Sequence, residues 1–502
     1  MVSKPVLVTG ATGYVGGRLI PLMLESGYRI RAFARSLPKL RSRPWSVHPN
    51  IELVQGDVLD LPSLKKAAAG CSAAYYLVHS MIAQKRHFAE ADRSSARNMT
   101  VAATEAGLER IIYLSGLGDR HGAALSKHLQ SRHEVGDILQ SGTVPCTILR
   151  AAMILGSGSA SFEILRYLVE RLPVMITPGW VFTPCQPIAI RNVLNYLIGC
   201  LDHPETSGQI YDIGGPDVLN YRQIMDIYAE AAGLPKRWVI PVPFFTPGLS
   251  AYWIHLVTPV PSSIAVPLAQ GLSTPVICGE NRIRLIIPQE LLSCRESITL
   301  ALERLAQDRM DTCWMDAGPL LPPEWAYCGD AGYAGGTVMQ CGFRIGLKAS
   351  IDQLWSPISR IGGKNGWYYA SFLWQIRGLM DRLSGGVGLR RGRRSKSRLY
   401  TGDALDFWRV LEIDAPHHLM LLAEMKIPGD AILEIRLTPQ PDGVTQIQLL
   451  SRFMPKGLMG ILYWYLLLPF HEMIFSGMLL AIAGKVGRPI VSGPQRFTRR
   501  IP

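Results

Sequence analysis

Over the first 120 residues, short apolar runs alternate with stretches in which apolar residues recur at helical spacing. Residues 6–9, 28–34, 51–55, 73–78 and 110–114 read as strands, and residues 18–26, 61–69 and 88–106 as the helices between them. Strict alternation of strand and helix predicts an α/β fold, a doubly wound parallel Rossmann sheet. The pattern changes between Cys294 and Thr337, where a helix running to about Asp308 gives way to the loop-forming run AGPLLPPEWAYCGDAGYAGG. Beyond it come a strand at 337–347, a short helix at 350–361, and strand-like runs at 404–413, 418–426, 431–438 and 445–453. A long apolar helix at 457–484 follows. Two domains are therefore expected: 1–305, a Rossmann-type domain, and 337–490, an α+β domain with the element order of a helix-grip fold. Residues 306–336 are the linker.

Composition adds partners and compartment to this picture. Hydrophobic residues make up 48% of the 502 and charged residues 18%, enough apolar material for two cores, so disorder is not expected. The net charge of +13 favours anionic partners. Part of it sits in one run, Arg390, Arg391, Arg393, Arg394, Lys396 and Arg398, with no aromatic interleaving and no nucleic-acid motif around it. That run reads as a solvated basic loop or as a contact for anionic lipid headgroups, and nucleic acid is not an expected partner. Nine cysteines without a C-x-x-C pair fit a reducing cytosol, and neither a disulfide framework nor a metal site is expected. MVSKPVLVTG runs straight into a strand and lacks the features of a signal peptide, so the expected location is cytoplasmic. Residues 458–482 are apolar enough to span a bilayer. Pro469, His471 and Glu472 at their centre favour instead a buried grip helix, with peripheral membrane contact as the alternative. Trp367, Tyr368, Trp374, Trp408, Trp464 and Tyr465 either line a pocket or fill a core.

The candidate chemistry begins at Gly10-Ala11-Thr12-Gly13-Tyr14-Val15-Gly16-Gly17, directly after the first strand and opening a helix. Gly10 permits a tight turn, Gly13 lets backbone approach a pyrophosphate, Gly16 lets helix pack on strand, and the helix N-terminus offers N–H groups to the anion. Thr12, Tyr14 and Val15 complete the cofactor turn. The second strand ends at Arg35, and no Asp or Glu occurs between Glu25 and Glu52. A carboxylate there would bind the adenosine ribose of NAD, whereas Arg35 can pair with the 2′-phosphate of NADP; NADP is the expected cofactor, with NAD the alternative. The alternative is that Arg35 is simply an exposed strand-end residue, and Arg31, on the same strand face, can share either role. The third strand ends at Gly56-Asp57-Val58, where Asp57 can accept from the adenine amino group. The fourth ends at His79, which either lines the nicotinamide pocket or only finishes a strand; Ser115, ending the fifth, either orients a substrate carbonyl or does the same.

The spacing GATGYVGG, with GDVLD, YLVHS and IIYLSGLG after the next strands, resembles the atypical short-chain dehydrogenase/reductase superfamily near its NmrA-like and epimerase-like members. The resemblance runs to about Leu305 and implies an NAD(P)-binding Rossmann domain with a smaller substrate lobe, drawing on residues 188–192, 209–216 and 238–288. It also implies a Tyr four residues before a Lys on the helix after the fifth strand, and none of the 18 tyrosines has a Lys at that spacing. Aligning Ser131-Arg132-His133-Glu134 with the corresponding family region sets His128 and Arg132 in the two places, one turn apart on one face. His128 can transfer a proton near neutral pH and Arg132 can hold ribose or phosphate, or both are surface residues of a helix without chemistry. The second domain, through GGKNGWYYA, LWQIRGLMDRLSGGVGLRRGRR, DALDFWRV, AEMKIPG and LYWYLLLPFHEMIF, resembles a START/SRPBCC-like domain of unknown function. That implies a small apolar or lipid-like ligand held between sheet and long helix. Three functions follow: an NADP-dependent oxidoreductase acting on an apolar carbonyl or quinone-like compound, a non-catalytic NADP(H)-binding sensor or scaffold, or an epimerase-like or assembly-factor role in which the dinucleotide is never released.

Overall fold

The computed structural model describes residues 4–78, 88–118, 127–177, 179–242, 274–306, 338–395, 398–455 and 457–498. Its chain divides into two units, 1–319 and 320–502. At the centre of the first lies β1 (Val6–Thr9), buried at every residue, because helices cover both faces of a parallel sheet and leave no solvent side. On one flank stand β2 (Ile30–Ala34) and β3 (Ile51–Gln55); on the other stand β4 (Ala73–Tyr76), β5 (Arg110–Gly116), β6 (Cys146–Ala151) and β11 (Ile210–Ile213). The order is β11-β6-β5-β4-β1-β2-β3, parallel throughout. The connecting helices are α1 (Gly16–Glu25), α2 (Leu37–Arg41), α3 (Leu61–Ala68), α4 (Phe88–Ala106), α5 (Lys127–Gln140) and α7 (Ile190–Asp202). Strand order reverses at β1, between β2 and β4, and this switch point is where such sheets open a crevice beyond their carboxyl ends.

A smaller lobe follows the sheet, built on α6 (Ala160–Arg171), α8 (Tyr221–Ala231) and α10 (Cys294–Ala306). Short strand pairs accompany them: β7 (Ile154–Leu155) with β10 (Ile188–Ala189), β8 (Val174–Thr177) with β13 (Trp238–Pro241), and β9 (Pro184–Cys185) with β12 (Leu219–Asn220). The short helix α9 (Ile283–Ile286) lies near β11. Phe162, Val169, Ile224, Tyr228, Val276 and Ile298 share the lobe's own apolar core. Residues 209–216, expected in this lobe, instead supply edge strand β11 to the main sheet, where Asp212 on β11 accepts from Arg150 on β6 at 2.7 Å. Residues 243–273, also expected there, lie outside the described residues.

The second unit is one antiparallel sheet of seven strands. It contains β14 (Met339–Leu347), β15 (Ala404–Leu405), β16 (Trp408–Asp414), β17 (His418–Ala423), β18 (Gly429–Pro439), β19 (Thr445–Pro455) and β20 (Ile490–Phe497), in the order β15-β16-β17-β18-β19-β14-β20. β20 had no sequence prediction. It joins the sheet edge through β14 with a shifted register, and its Pro and Gly residues break the alternation that announces a strand. In β18, Leu433, Ile435 and Leu437 enter the core while Glu434 and Arg436 point to the other face, the period of two expected of a one-sided sheet. Helices α11 (Ile351–Ser359), α12 (Ser371–Leu383) and α13 (Gly457–Val486) complete the unit; α13 lies along β14, β19 and β20. The fully buried helix expected for residues 457–484 is only half realised. Ile474, Phe475, Met478, Leu479, Ile482 and Ala483 are in the core, whereas Met459, Leu462, Tyr465 and Leu466 face outward.

Candidate functional site

The turn after β1 is shaped by steric need. Gly10 has φ +72°, and a Cβ there would lie 2.7 Å from the Leu77 carbonyl oxygen at the end of β4; only glycine tolerates both. A Cβ on Gly16 would lie 2.4 Å from the Gly10 carbonyl oxygen, so this glycine permits helix to touch turn. The Gly13 amide donates to the Gly10 carbonyl at 2.9 Å, and a Cβ on Gly13 would meet nothing but that oxygen, which leaves the backbone approachable. Val15 provides no side-chain cap for α1, and no acidic residue stands in its first turn. Amide donors at a helix start then attract an anion. The turn is braced from the lobe side: Arg18 donates to the Ser157 carbonyl at 2.7 Å and lies 4.8 Å over the Tyr14 ring. Gly156 leaves room for the Tyr14 hydroxyl, 2.5 Å from where a Cβ would stand.

The end of β2 corrects one expectation and adds residues the sequence reading missed. Arg31 is committed elsewhere: it pairs with Glu52 at 2.7 Å and donates to the carbonyls of Ala67 and Ala69 at the end of α3. Arg35 is exposed at the strand end, as the NADP reading needs. Ser36 caps α2, accepting from the Lys39 amide, and this short helix carries Lys39 into a buried position. Arg43, also buried, donates to the Thr12 carbonyl at 3.3 Å and ties this cationic segment to the glycine turn. Lys39 on α2 and Arg43, two residues past its end, share a four-residue spacing after the Ser36-Leu37-Pro38 helix start, a legible signal of a cation-bearing segment.

Asp57 accepts the Leu59 amide at 3.0 Å in a local turn, and Val58 is buried with its carbonyl held by Asn98. His79 lies outside the described residues. Ser115, buried at the end of β5, donates to the Arg132 carbonyl of α5 at 3.5 Å. Arg132 in turn donates to the Tyr113 hydroxyl at 3.4 Å, with its guanidinium 5.7 Å over that ring. Burial pushes the Tyr113 phenol up while the Arg132 charge opposes it. Ser115 and Arg132 are thus brought together, with Tyr113 as a third member that the one-turn spacing did not reveal. The backbone of His128 lies on the first turn of α5; its side chain is outside the described residues. No cluster of metal-ligating side chains occurs among the described residues.

In the second unit, the basic run is only partly the solvated loop expected: Arg398 is exposed, but three of its arginines are tied to the protein. Arg391 pairs with Glu424, and Arg394 with Asp403; both Arg394 and Asp403 are buried. Arg393 donates to the carbonyls of Ile361 and Ser359 at 2.9 Å each. The conspicuous sequence phrases are internal ties: Asp406 accepts from the Trp367 indole at 2.9 Å and the Gly363 amide, and Asp381 from the Gly388 and Lys426 amides. Trp367, Trp374 and Trp408 pack with Phe407, and Trp464 stacks on Phe453, all within the core, while Tyr465 is exposed.

A glycine turn at the switch point of a seven-stranded parallel sheet, opening an uncapped helix, defines an NAD(P)-binding Rossmann protein of the short-chain dehydrogenase/reductase type. The NmrA-like family model matches residues 2–241, and a protein of unknown function family, DUF2867, matches residues 335–478. The putative dihydroflavonol 4-reductase of Synechocystis sp. is 34% identical over 298 residues, covering 54% of this chain and 82% of that protein. The chain belongs to the NmrA-like NAD(P)-binding reductase/epimerase family. Cinnamoyl-CoA reductase 1 of Petunia hybrida is 30% identical over 118 residues, 22% of this chain, and the match spans only 35% of that protein. The Citrobacter sp. triphenylmethane reductase complexed with NADP(H) is 19% identical, covers 59% of this chain and 99% of its own, and has a TM-score of 0.49.

Proposed function

We propose that this protein is an NADP-dependent oxidoreductase acting on an apolar carbonyl or quinone-like compound. One observation carries the cofactor choice: β2 ends in Arg35 where a ribose-binding carboxylate would stand, and the next turn adds Lys39 and Arg43, the latter bonded to the glycine turn itself. Gly10, Thr12, Gly13 and the start of α1 hold the pyrophosphate, and Asp57 and Val58 border the adenine. When bound, the nicotinamide supplies hydride exchange at its C4. Ser115 orients the substrate carbonyl, His128 delivers or accepts the proton, and Arg132 sets the charge beside them. The apolar substrate is supported by the reductase name of the Synechocystis relative and by the attached second unit, which we read as a helix-grip domain that presents apolar compounds.

The test is a fluorescence titration with NADPH and NADH, repeated for Arg35→Ala. Arg35→Ala should weaken NADPH binding at least about tenfold, the worth of one charge-assisted pair, and leave NADH within about twofold. Equal loss for both nucleotides would remove the NADP preference. NADPH oxidation with a panel of quinones and aldehydes, abolished in His128→Ala, then tests the reaction. The missing Tyr-x-x-x-Lys pair favours the second reading, a sensor that binds NADP(H) without turnover; tight binding with no oxidation across the panel is its signature.

A further inference from the structure

The second unit carries an apolar surface that its own sheet does not cover. From Met459 to Met473, every exposed side chain of α13 is apolar or aromatic: Met459, Ile461, Leu462, Tyr465, Leu466, Pro469, Phe470 and Met473, with Met459 and Leu466 each 68% exposed. Helix α12 adds a second stripe, Phe372, Ile376, Leu379 and Leu383, at the three- and four-residue spacing of one helix face, with Leu383 82% exposed. Arg377 of α12 lies 5.4 Å over the Tyr463 ring of α13, which places the two helices side by side there. Two exposed apolar stripes on neighbouring helices of a folded unit mark an interaction site.

We propose that this face is a membrane-docking surface, in which α12 and the first half of α13 lie in the headgroup region of an anionic bilayer. Charge supports the anionic occupant. The unit holds 22 of the chain's 52 Lys and Arg but 13 of its 39 Asp and Glu, and Arg382, Lys485 and Arg488 are exposed on or beside the two helices. The surface chemistry favours lipid over a protein partner. Protein interfaces carry about one hydrogen bond per 100–200 Å², whereas among the exposed side chains of α13 between Met459 and Met473 only the Tyr465 hydroxyl can form one. The helix docks and does not cross. Its second half is buried against the sheet and Glu472 is paired with Arg496 of β20. The fifteen-residue stretch that carries the exposed side chains extends about 22 Å at about 1.5 Å each, short of the roughly 30 Å of a hydrocarbon core.

The experiment is flotation of the full-length chain with vesicles of phosphatidylcholine alone and of phosphatidylcholine with phosphatidylserine, at low and high salt. The protein should float with the anionic vesicles and at least about tenfold less with neutral ones. Leu466→Glu with Phe470→Glu should reduce flotation at least about tenfold, because two exposed anchors lose their apolar contact. Both positions are exposed, so NADPH binding and the circular dichroism spectrum should stay unchanged and separate a docking defect from misfolding. Protein that stays in the aqueous layer with both vesicle types, or flotation indifferent to the double variant, would overturn the proposal. So would a dimer in light scattering that the double variant dissociates, which would give the face to a second copy of the chain.

Discussion

The two units of this chain treat their most conspicuous sequence features in opposite ways. In the first, the glycine pattern does in three dimensions what its spacing suggests: Gly10 turns, Gly13 stays approachable, and Gly16 lets α1 close on the turn. In the second, the two loudest features are inverted. Arg391 and Arg394 of the basic run turn inward to Glu424 and Asp403, and half of the most apolar helix turns outward. A glycine's role is set by backbone geometry within a few residues. The fate of an arginine or leucine run is set by what stands opposite it, tens of residues away in sequence.

The sharpest way to break this contrast is at Arg394. If its pairing with buried Asp403 is the purpose of the basic run, Arg394→Ala should destabilise the second unit by about 3–5 kcal/mol, because it strands a carboxylate away from water. Urea denaturation followed by tryptophan fluorescence measures this; a loss under about 1 kcal/mol would return the run to the solvent.

Next in size is Gly16→Ala. Its Cβ would stand 2.4 Å from the Gly10 carbonyl oxygen, so α1 must shift, at about 1–3 kcal/mol. Nucleotide affinity should fall at least about tenfold while the melting transition of the second unit stays in place. Unchanged NADPH affinity would show that the turn does not hold the cofactor.

A third test is the pH dependence of the second unit's stability. Burial, aided by the Arg377 charge on α12, pushes the His471 imidazole down to about 4 from its usual 6.5. The unfolded chain then takes up a proton that the native state refuses, so stability falls as pH drops from 6.5 toward 4. The rings of Trp464 and Phe475 also pack on this histidine, and neighbouring Glu472 is paired with Arg496. Glu434 adds a second limb. Burial raises its carboxyl, but hydrogen bonds from His418 and Arg436 outweigh that and hold it at about 2, so its contribution is lost between 4.5 and 2. Denaturation midpoints against pH should show both limbs, and His471→Phe should flatten only the upper one. An upper limb that survives this substitution would place its cause in another group.

Much of the fold was legible in advance, for identifiable reasons. The inner strands of the Rossmann sheet are buried on both faces, so they stand out as apolar runs, and helix α4 falls on the predicted residues 88–106. Edge strand β11 was read as part of the lobe because four residues with one Asp carry little periodicity; the Arg150 pairing that buries Asp212 appears only once β6 is alongside. At the candidate site, Gly10, Arg35 and Ser115 were chosen from their places at strand ends, and Gly13 and Gly16 from their spacing in the turn after β1. Arg31 was misassigned because strand alternation gives a face and not a partner, and the partners Glu52 and the end of α3 belong to the next crossover. Tyr113 and Arg132 meet across β5 and α5, nineteen residues apart, with no spacing rule to announce it.

By itself the sequence determined what depends on local backbone freedom and on period: the parallel sheet, the turn that only glycine can make, and the absence of a Tyr-x-x-x-Lys pair. Tertiary structure alone decided which charges are consumed internally and which apolar side chains remain in the open. Pairing and burial are properties of two surfaces brought together, and the chain order of either surface does not contain the other.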